Sequence, residues 1–175
     1  MNLKEIYNFH CPRWEELPEK PLFNKEVVEY INGVLSPIID EDGYLTTTMV
    51  QNYTKWGVIP APEGRKYNKS QISVLLVVTI YKYVLNIDYV KKGVELLLRH
   101  MDLSFAYDAV CQSLERSIKE TFSFLFDEEG NMKECKKIEE NYVGLFAVSN
   151  AFVLKLLAHI VIESEGYKNI GGNNE

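Results

Sequence analysis

The sequence is poor in the residues from which catalytic and metal centres are built. It holds three cysteines, Cys11, Cys111 and Cys135, and three histidines, His10, His100 and His159. Three cysteines at long spacings make neither a disulfide framework nor a CxxC metal knuckle, and they fit a reducing cytoplasm. No Gly-rich phosphate loop, HExxH or GxSxG occurs. His10 adjoins Cys11, but no orienting third group or oxyanion donor accompanies the pair, as a nucleophile requires. His159 sits in an apolar stretch, where a satisfied core imidazole is the expectation. His100 closes a helix, where the dipole favours it. The sequence therefore predicts no enzyme, no metal and no cofactor.

A cleavable leader is also missing from the expectation, because MNLKEIYNFHCPRWEELP mixes charge, aromatics and prolines. Positive charge is scarce overall, with a net charge of −6, which by itself argues against a nucleic-acid partner. Its distribution argues otherwise. Residues 1–45 carry 4 basic and 9 acidic side chains, 46–92 carry 7 and 2, and 93–175 carry 8 and 14. A basic centre between acidic flanks can present a local positive patch to a phosphate backbone.

What is plentiful is apolar residue, 46% of the chain, at helical spacing. Prolines 12, 18 and 21 mark a loop-rich arm pinned by Trp14 and Leu17. Asn24 is placed to cap a helix over 25–35, with Val27, Val28, Ile31 and Leu35 on one face. Asp40, Glu41 and Asp42 lack the alternation of an EF-hand loop and read as a solvated turn. A central helix over 70–85 is apolar nearly all round, capped by Asn68 or Ser70, with a buried strand as the competing reading. Helices over 89–98, capped by Asp88, and 104–126, capped by Ser104, come next. A polar loop at 127–131, a short charged helix at 133–140 and a frayed tail at 167–175 complete the pattern. The longest apolar stretch is 142–162. Asn150, Lys155 and His159 argue against a membrane span there, since Lys at a bilayer centre costs about 2.5–3.5 kcal/mol on insertion scales. Such a helix needs cover, either from the 104–126 and central helices or from a second subunit.

The stretch that organises the rest is 46–67, TTTMVQNYTKWGVIPAPEGRKY. Thr46 or Thr47 caps a helix whose Met49, Tyr53 and Trp56 share the inward face, with Val50 at its edge. Thr48, Gln51 and Lys55 then point outward, flanked by Thr47, with Asn52 at the margin. Those side chains bond base edges and phosphates in a major groove. Gly57 ends the helix, and Pro60 and Pro62 stiffen the segment after it. Gly64 then turns the chain so that Arg65, Lys66 and Tyr67 lie on a loop, with Lys69 just beyond.

This stretch resembles the recognition helix and wing of MerR-type regulators, in which T-I-R-x-Y-x-x-x-G-L-I-x-P leads to a Y-R-x-Y wing and two further helices. More of the chain resembles the bacterial domain of unknown function 1836 family, through RWEELP at 13–18, Leu22-Phe23, 27–31, 46–56, Ile59-Pro60, Pro62 and Arg65-Lys66-Tyr67. The MerR resemblance implies an all-α fold. In it, a winged helix-turn-helix over 1–100, with at most a two-stranded wing at 59–67, precedes a helical C-terminal part over 101–175 packed on it. It also implies a DNA-binding transcriptional regulator acting on double-stranded DNA through Thr47, Thr48, Gln51, Asn52, Lys55, Arg65, Lys66, Tyr67 and Lys69, as a homodimer, with no effector specified. The competing expectation is a protein-interaction module that keeps the winged scaffold and does not touch DNA.

Overall fold

The computed structural model of the chain describes residues 2–62, 64–123 and 140–166. The polar loop and charged helix expected between 127 and 139, the end of the 104–126 helix and the tail from 167 lie outside them. Helices dominate: α1 (Leu3–Tyr7), α2 (Asn24–Leu35), α3 (Thr47–Lys55), α4 (Lys69–Tyr81), α5 (Ile87–Leu98), α6 (Leu103–Phe122) and α7 (Glu140–Glu163). Two short strands, β1 (Leu22–Phe23) and β2 (Lys66–Tyr67), pair antiparallel, Leu22 opposite Tyr67 and Phe23 opposite Lys66.

The fold is built around α4. Its residues from Gln71 to Thr79 are all buried, so an all-round apolar sequence becomes the hub that α2, α5, α6 and β2 pack upon. Its buried hydroxyls are satisfied within the helix. Thr79 Oγ1 donates to the Leu75 carbonyl at 2.7 Å and Ser73 Oγ to that of Ser70 at 2.8 Å. The helix ends at Tyr81, four residues short of the expected limit. α2 offers Val27, Ile31 and Leu35, each wholly buried and spaced at four. α6 offers Ala106, Tyr107, Val110, Cys111 and Ile118 to the core that α2 and α4 share. The division expected at residue 100 thus has one hydrophobic core on both sides of it.

Three helix starts differ from their expected caps. At α2 the cap interaction is made by Glu26, which accepts from the Phe23 N–H at 2.7 Å, while Asn24 turns its amide to the Thr47 carbonyl at 3.1 Å. α5 is capped by Asn86, not Asp88, through the Tyr89 N–H at 3.1 Å. α6 begins after Asp102 with no side-chain cap bond. The expected caps Thr46 and Asn68 do form, the latter in a reciprocal pair with Gln71.

The N-terminal arm is sewn to α6. Arg13 makes a two-pronged bond to Glu115, which also accepts from the Cys11 N–H at 2.8 Å. The Trp14 N–H donates to Asp108 at 2.7 Å, and the Tyr107 hydroxyl to the Pro12 carbonyl at the same distance. α7 is different. Of the other described helices it packs on α5, through its C-terminal half, and Leu145, Phe146, Val148, Phe152, Val153, Leu154 and Leu156 are all more than half exposed. Of the two expected kinds of cover, wrapping by the 104–126 and central helices leaves most of α7 exposed among the described residues. Its segment Gly144–Glu163, 20 residues of mean hydropathy 2.0, is long and apolar enough to cross a membrane.

Candidate functional site

The site is positioned from α2. Asn32 clamps the connection to α3 with both ends of its amide: Nδ2 donates to the Leu45 carbonyl at 2.9 Å and Oδ1 accepts the Leu45 N–H at 2.8 Å. Ile39 and Leu45 plug the connection into the core. The acidic stretch forms a single 3-10 turn, Glu41–Gly43. At Gly43 the Tyr83 hydroxyl stands 0.9 Å from where a Cβ would be, so a side chain at 43 would have to displace the exposed Tyr83 ring.

Thr46 Oγ1 accepts from the Met49 N–H at 3.2 Å and starts α3. Its inward side is Val50 and Tyr53, with Met49 half-buried. Trp56 departs from expectation: it is 53% exposed rather than directed into the core. The helix ends at Lys55, and Trp56 takes φ −84° and ψ 0° as the chain turns into Gly57 at φ +65°, so the wheel no longer applies to it. The Val58 and Ile59 N–H groups both return to the Tyr53 carbonyl, at 2.8 and 3.3 Å, and both residues are buried. Gln71 Nε2 then holds the Pro60 and Ala61 carbonyls at 3.3 and 2.8 Å. The loop is therefore tied to α4 at its base before Gly64, at φ +69°, turns it.

Thr47, Thr48, Gln51 and Lys55 are exposed on one side of α3, and Asn52 is half-buried. Arg65 and Lys66 are exposed on the loop, Lys66 with its ammonium 4.5 Å above the half-exposed ring of Phe23. Tyr67 must be corrected. It is 5% exposed and part of the core, because β2 alternates: Lys66 points out and Tyr67 in. Lys69 turns away to the arm, 5.7 Å above the Trp14 ring and 4.0 Å from Glu15. The ribbon expected inside 59–67 is also revised, since the partner of Lys66–Tyr67 is Leu22–Phe23, upstream of α2.

Sequence reading missed Lys91, which reaches from α5 to the Trp56 carbonyl at 3.3 Å and adds a cation beside the end of α3. No local signal marks it; only the packing of α5 brings it there. Lys82 stands 3.8 Å from the Met49 sulfur, and burial lowers its pKa. The exposed side of α3 and the tip of the loop thus present hydroxyls, amides and cations, with no carboxylate on α3 itself. Such groups bind a polyanion or the polar edge of a partner; none is a nucleophile paired with a base. Among the described residues no group of three or more His, Cys, Asp or Glu is placed to hold a metal ion.

The family model described as "Domain of unknown function (DUF1836)" matches residues 12–116, from the arm into α6, with the whole of this surface inside it and α7 outside. None of the curated proteins and none of the solved structures matches the chain.

Proposed function

The chain belongs to the domain of unknown function 1836 family, and from the surface that the matched segment carries we propose that it is a DNA-binding transcriptional regulator with a MerR-like winged helix-turn-helix. The observation that carries the reading is the two-sidedness of α3. Val50 and Tyr53 fix it to the core, while Thr47, Thr48, Gln51 and Lys55 stay uncovered beside the exposed Arg65 and Lys66. In this reading α3 enters the major groove and α2 supports it. Thr48, Gln51 and Lys55 read base edges, with Thr47 and Asn52 at the margin, and Arg65 and Lys66 bond phosphates on either side of a short wing. Tyr67 supports that wing from within, and Lys69 faces the arm instead of DNA.

The regulator acts as a homodimer through α7, because one half-site seldom supplies enough affinity. The exposed Phe146, Val148 and Phe152 support this part of the reading. The C-terminal end of α7 is docked beside α5 by polar pairs, Lys92 with Glu163 at 2.8 Å and, just past the helix, Arg99 with Glu165 at 2.9 Å. Sedimentation that gives a monomer at micromolar concentration removes the dimer.

Binding to a preferred and a random duplex over a series of salt concentrations tests the reading. Gln51→Ala should lose about 1–3 kcal/mol of preference if it makes a bidentate base contact. Lys66→Ala should weaken all sequences alike and lower the salt slope by about one unit. If both variants stay folded and neither changes DNA affinity, the surface serves a protein partner. The exposed Trp56 at its edge is the observation that favours that alternative.

A further inference from the structure

We propose that Cys11 and Cys111 form a reversible disulfide site that ties the N-terminal arm to α6, made by exchange with a low-molecular-weight disulfide such as oxidised glutathione. The two residues are a hundred positions apart in the chain. Both are free thiols, each 1% exposed, and they lie beside each other and the Tyr107 hydroxyl. Cys111 Sγ also lies 3.8 Å from the Pro12 carbonyl, next in the chain to Cys11.

The placement is enforced from both sides. The Cys11 N–H is held by Glu115, one helical turn beyond Cys111, and Arg13 grips the same carboxylate. The Tyr107 hydroxyl, one turn before Cys111, holds the Pro12 carbonyl between the two anchors. The Cys11 main chain is thus held against the turn of α6 that carries Cys111.

The chemistry assigns different parts to the two sulfurs. The Cys111 pKa is lowered by its contact with Cys11 and by the Arg13 charge, against the opposing effect of burial, which makes Cys111 the attacking sulfur. The Cys11 pKa is pushed up by the neighbouring Cys111 sulfur and by burial. The Cys111 thiolate attacks one sulfur of the small disulfide; that S–S bond breaks and one thiolate leaves. Cys11 gives up its proton, and its sulfur attacks Cys111 in the mixed disulfide, releasing the second small thiol. The protein loses two hydrogens and the reagent gains them, as two thiols. Because both sulfurs are buried, the first attack needs the arm to lift, and the Arg13–Glu115 pair controls that opening. The arm leads directly into β1, which pairs with β2 beside Arg65. The bond therefore restrains the segment that anchors the loop, whether or not that loop meets DNA.

The test uses the full chain carrying Cys135→Ser, equilibrated in mixtures of reduced and oxidised glutathione, quenched with N-ethylmaleimide and analysed by peptide mass mapping. The expected result is joint loss of both thiols, a linked Cys11–Cys111 peptide and full reversal by reduced glutathione. The thermal midpoint of the oxidised form should rise by roughly 5–15 °C, because a loop of about a hundred residues is closed. Adding Cys11→Ser should abolish that rise and leave at most a glutathione adduct on Cys111. Adding Glu115→Gln should speed oxidation several-fold. Two outcomes overturn the proposal: both thiols still blocked by maleimide after hours in oxidised glutathione, over which uncatalysed exchange runs to completion, or a linked form that melts lower than the reduced one.

Discussion

α4 and α7 are both apolar on nearly every side, yet α4 is sealed from Gln71 to Thr79 while most of α7 from Leu145 to Leu157 stands in solvent. Hydropathy alone cannot separate them. What differs is the neighbourhood. α4 is met by α2, α5, α6 and β2, each of which turns an apolar stripe toward it; α7 is met by α5. The groove between α5 and α7, lined by Tyr89, Val90, Val94, Leu154, Leu157 and Val161, is itself apolar and open. The lesson is that an all-round apolar helix states only how much cover it requires. Whether the cover comes from its own chain is decided by the amphipathic elements that the rest of the chain can spare.

Four substitutions test how deep this contrast runs. The largest effect belongs to Leu75→Ala in α4, a fully buried side chain. It should cost about 2–5 kcal/mol in urea unfolding, through lost transfer energy and a cavity ringed by four elements. A loss under about 1 kcal/mol would mean that α4 is not the hub of the core. Next is Asn32→Ala, which leaves the Leu45 N–H and carbonyl without partners and should cost about 1–3 kcal/mol. In the DNA-reading proposal it should also disturb binding without touching a contact residue, because it frees the connection that sets α3.

A third, smaller effect depends on pH. Burial works against the Glu115 carboxylate, but Arg13, the Cys11 N–H and His10 outweigh it, and its pKa lies below the ordinary 4.5. A lowered folded pKa stabilises above the unfolded value and is lost as pH falls through the folded one. Docking of the arm should therefore be complete above about pH 4.5 and weaken below it. Glu115→Gln should melt lower at neutral pH and lack that part of the acid dependence, a difference readable from thermal midpoints between about pH 3 and 7. The smallest effect on the fold is expected for Phe146→Ala, 71% exposed on α7. It should change unfolding free energy by no more than about 0.5 kcal/mol. If a second copy covers α7, the same change should weaken self-association by about thirtyfold, as for a central aromatic anchor. A large loss of monomer stability instead would show that α7 is packed within its own chain and would erase the contrast with α4.

The helix pattern is legible in the sequence because helical spacing is local. Val27, Ile31 and Leu35 declare α2, and Thr46, Asn68 and Gly57 mark ends whose cap bonds close within a few residues. The polar side of α3 is legible for the same reason, since Val50 and Tyr53 turn Thr48, Gln51 and Lys55 outward wherever the helix is placed. Trp56 is misread where the helix stops and the wheel with it, and Tyr67 because two residues of strand alternate while a loop does not.

What tertiary structure alone decided are the long-range pairings. These are β1 with β2 from opposite sides of α2 and α3, Asn32 with Leu45, Lys91 beside Trp56, and Arg13 with Glu115 next to the Cys11–Cys111 pair. Each joins polar groups whose local sequence carries no period. Their partners are chosen by which buried N–H or carboxylate the packed helices leave unsatisfied, a quantity that exists only once the core has formed.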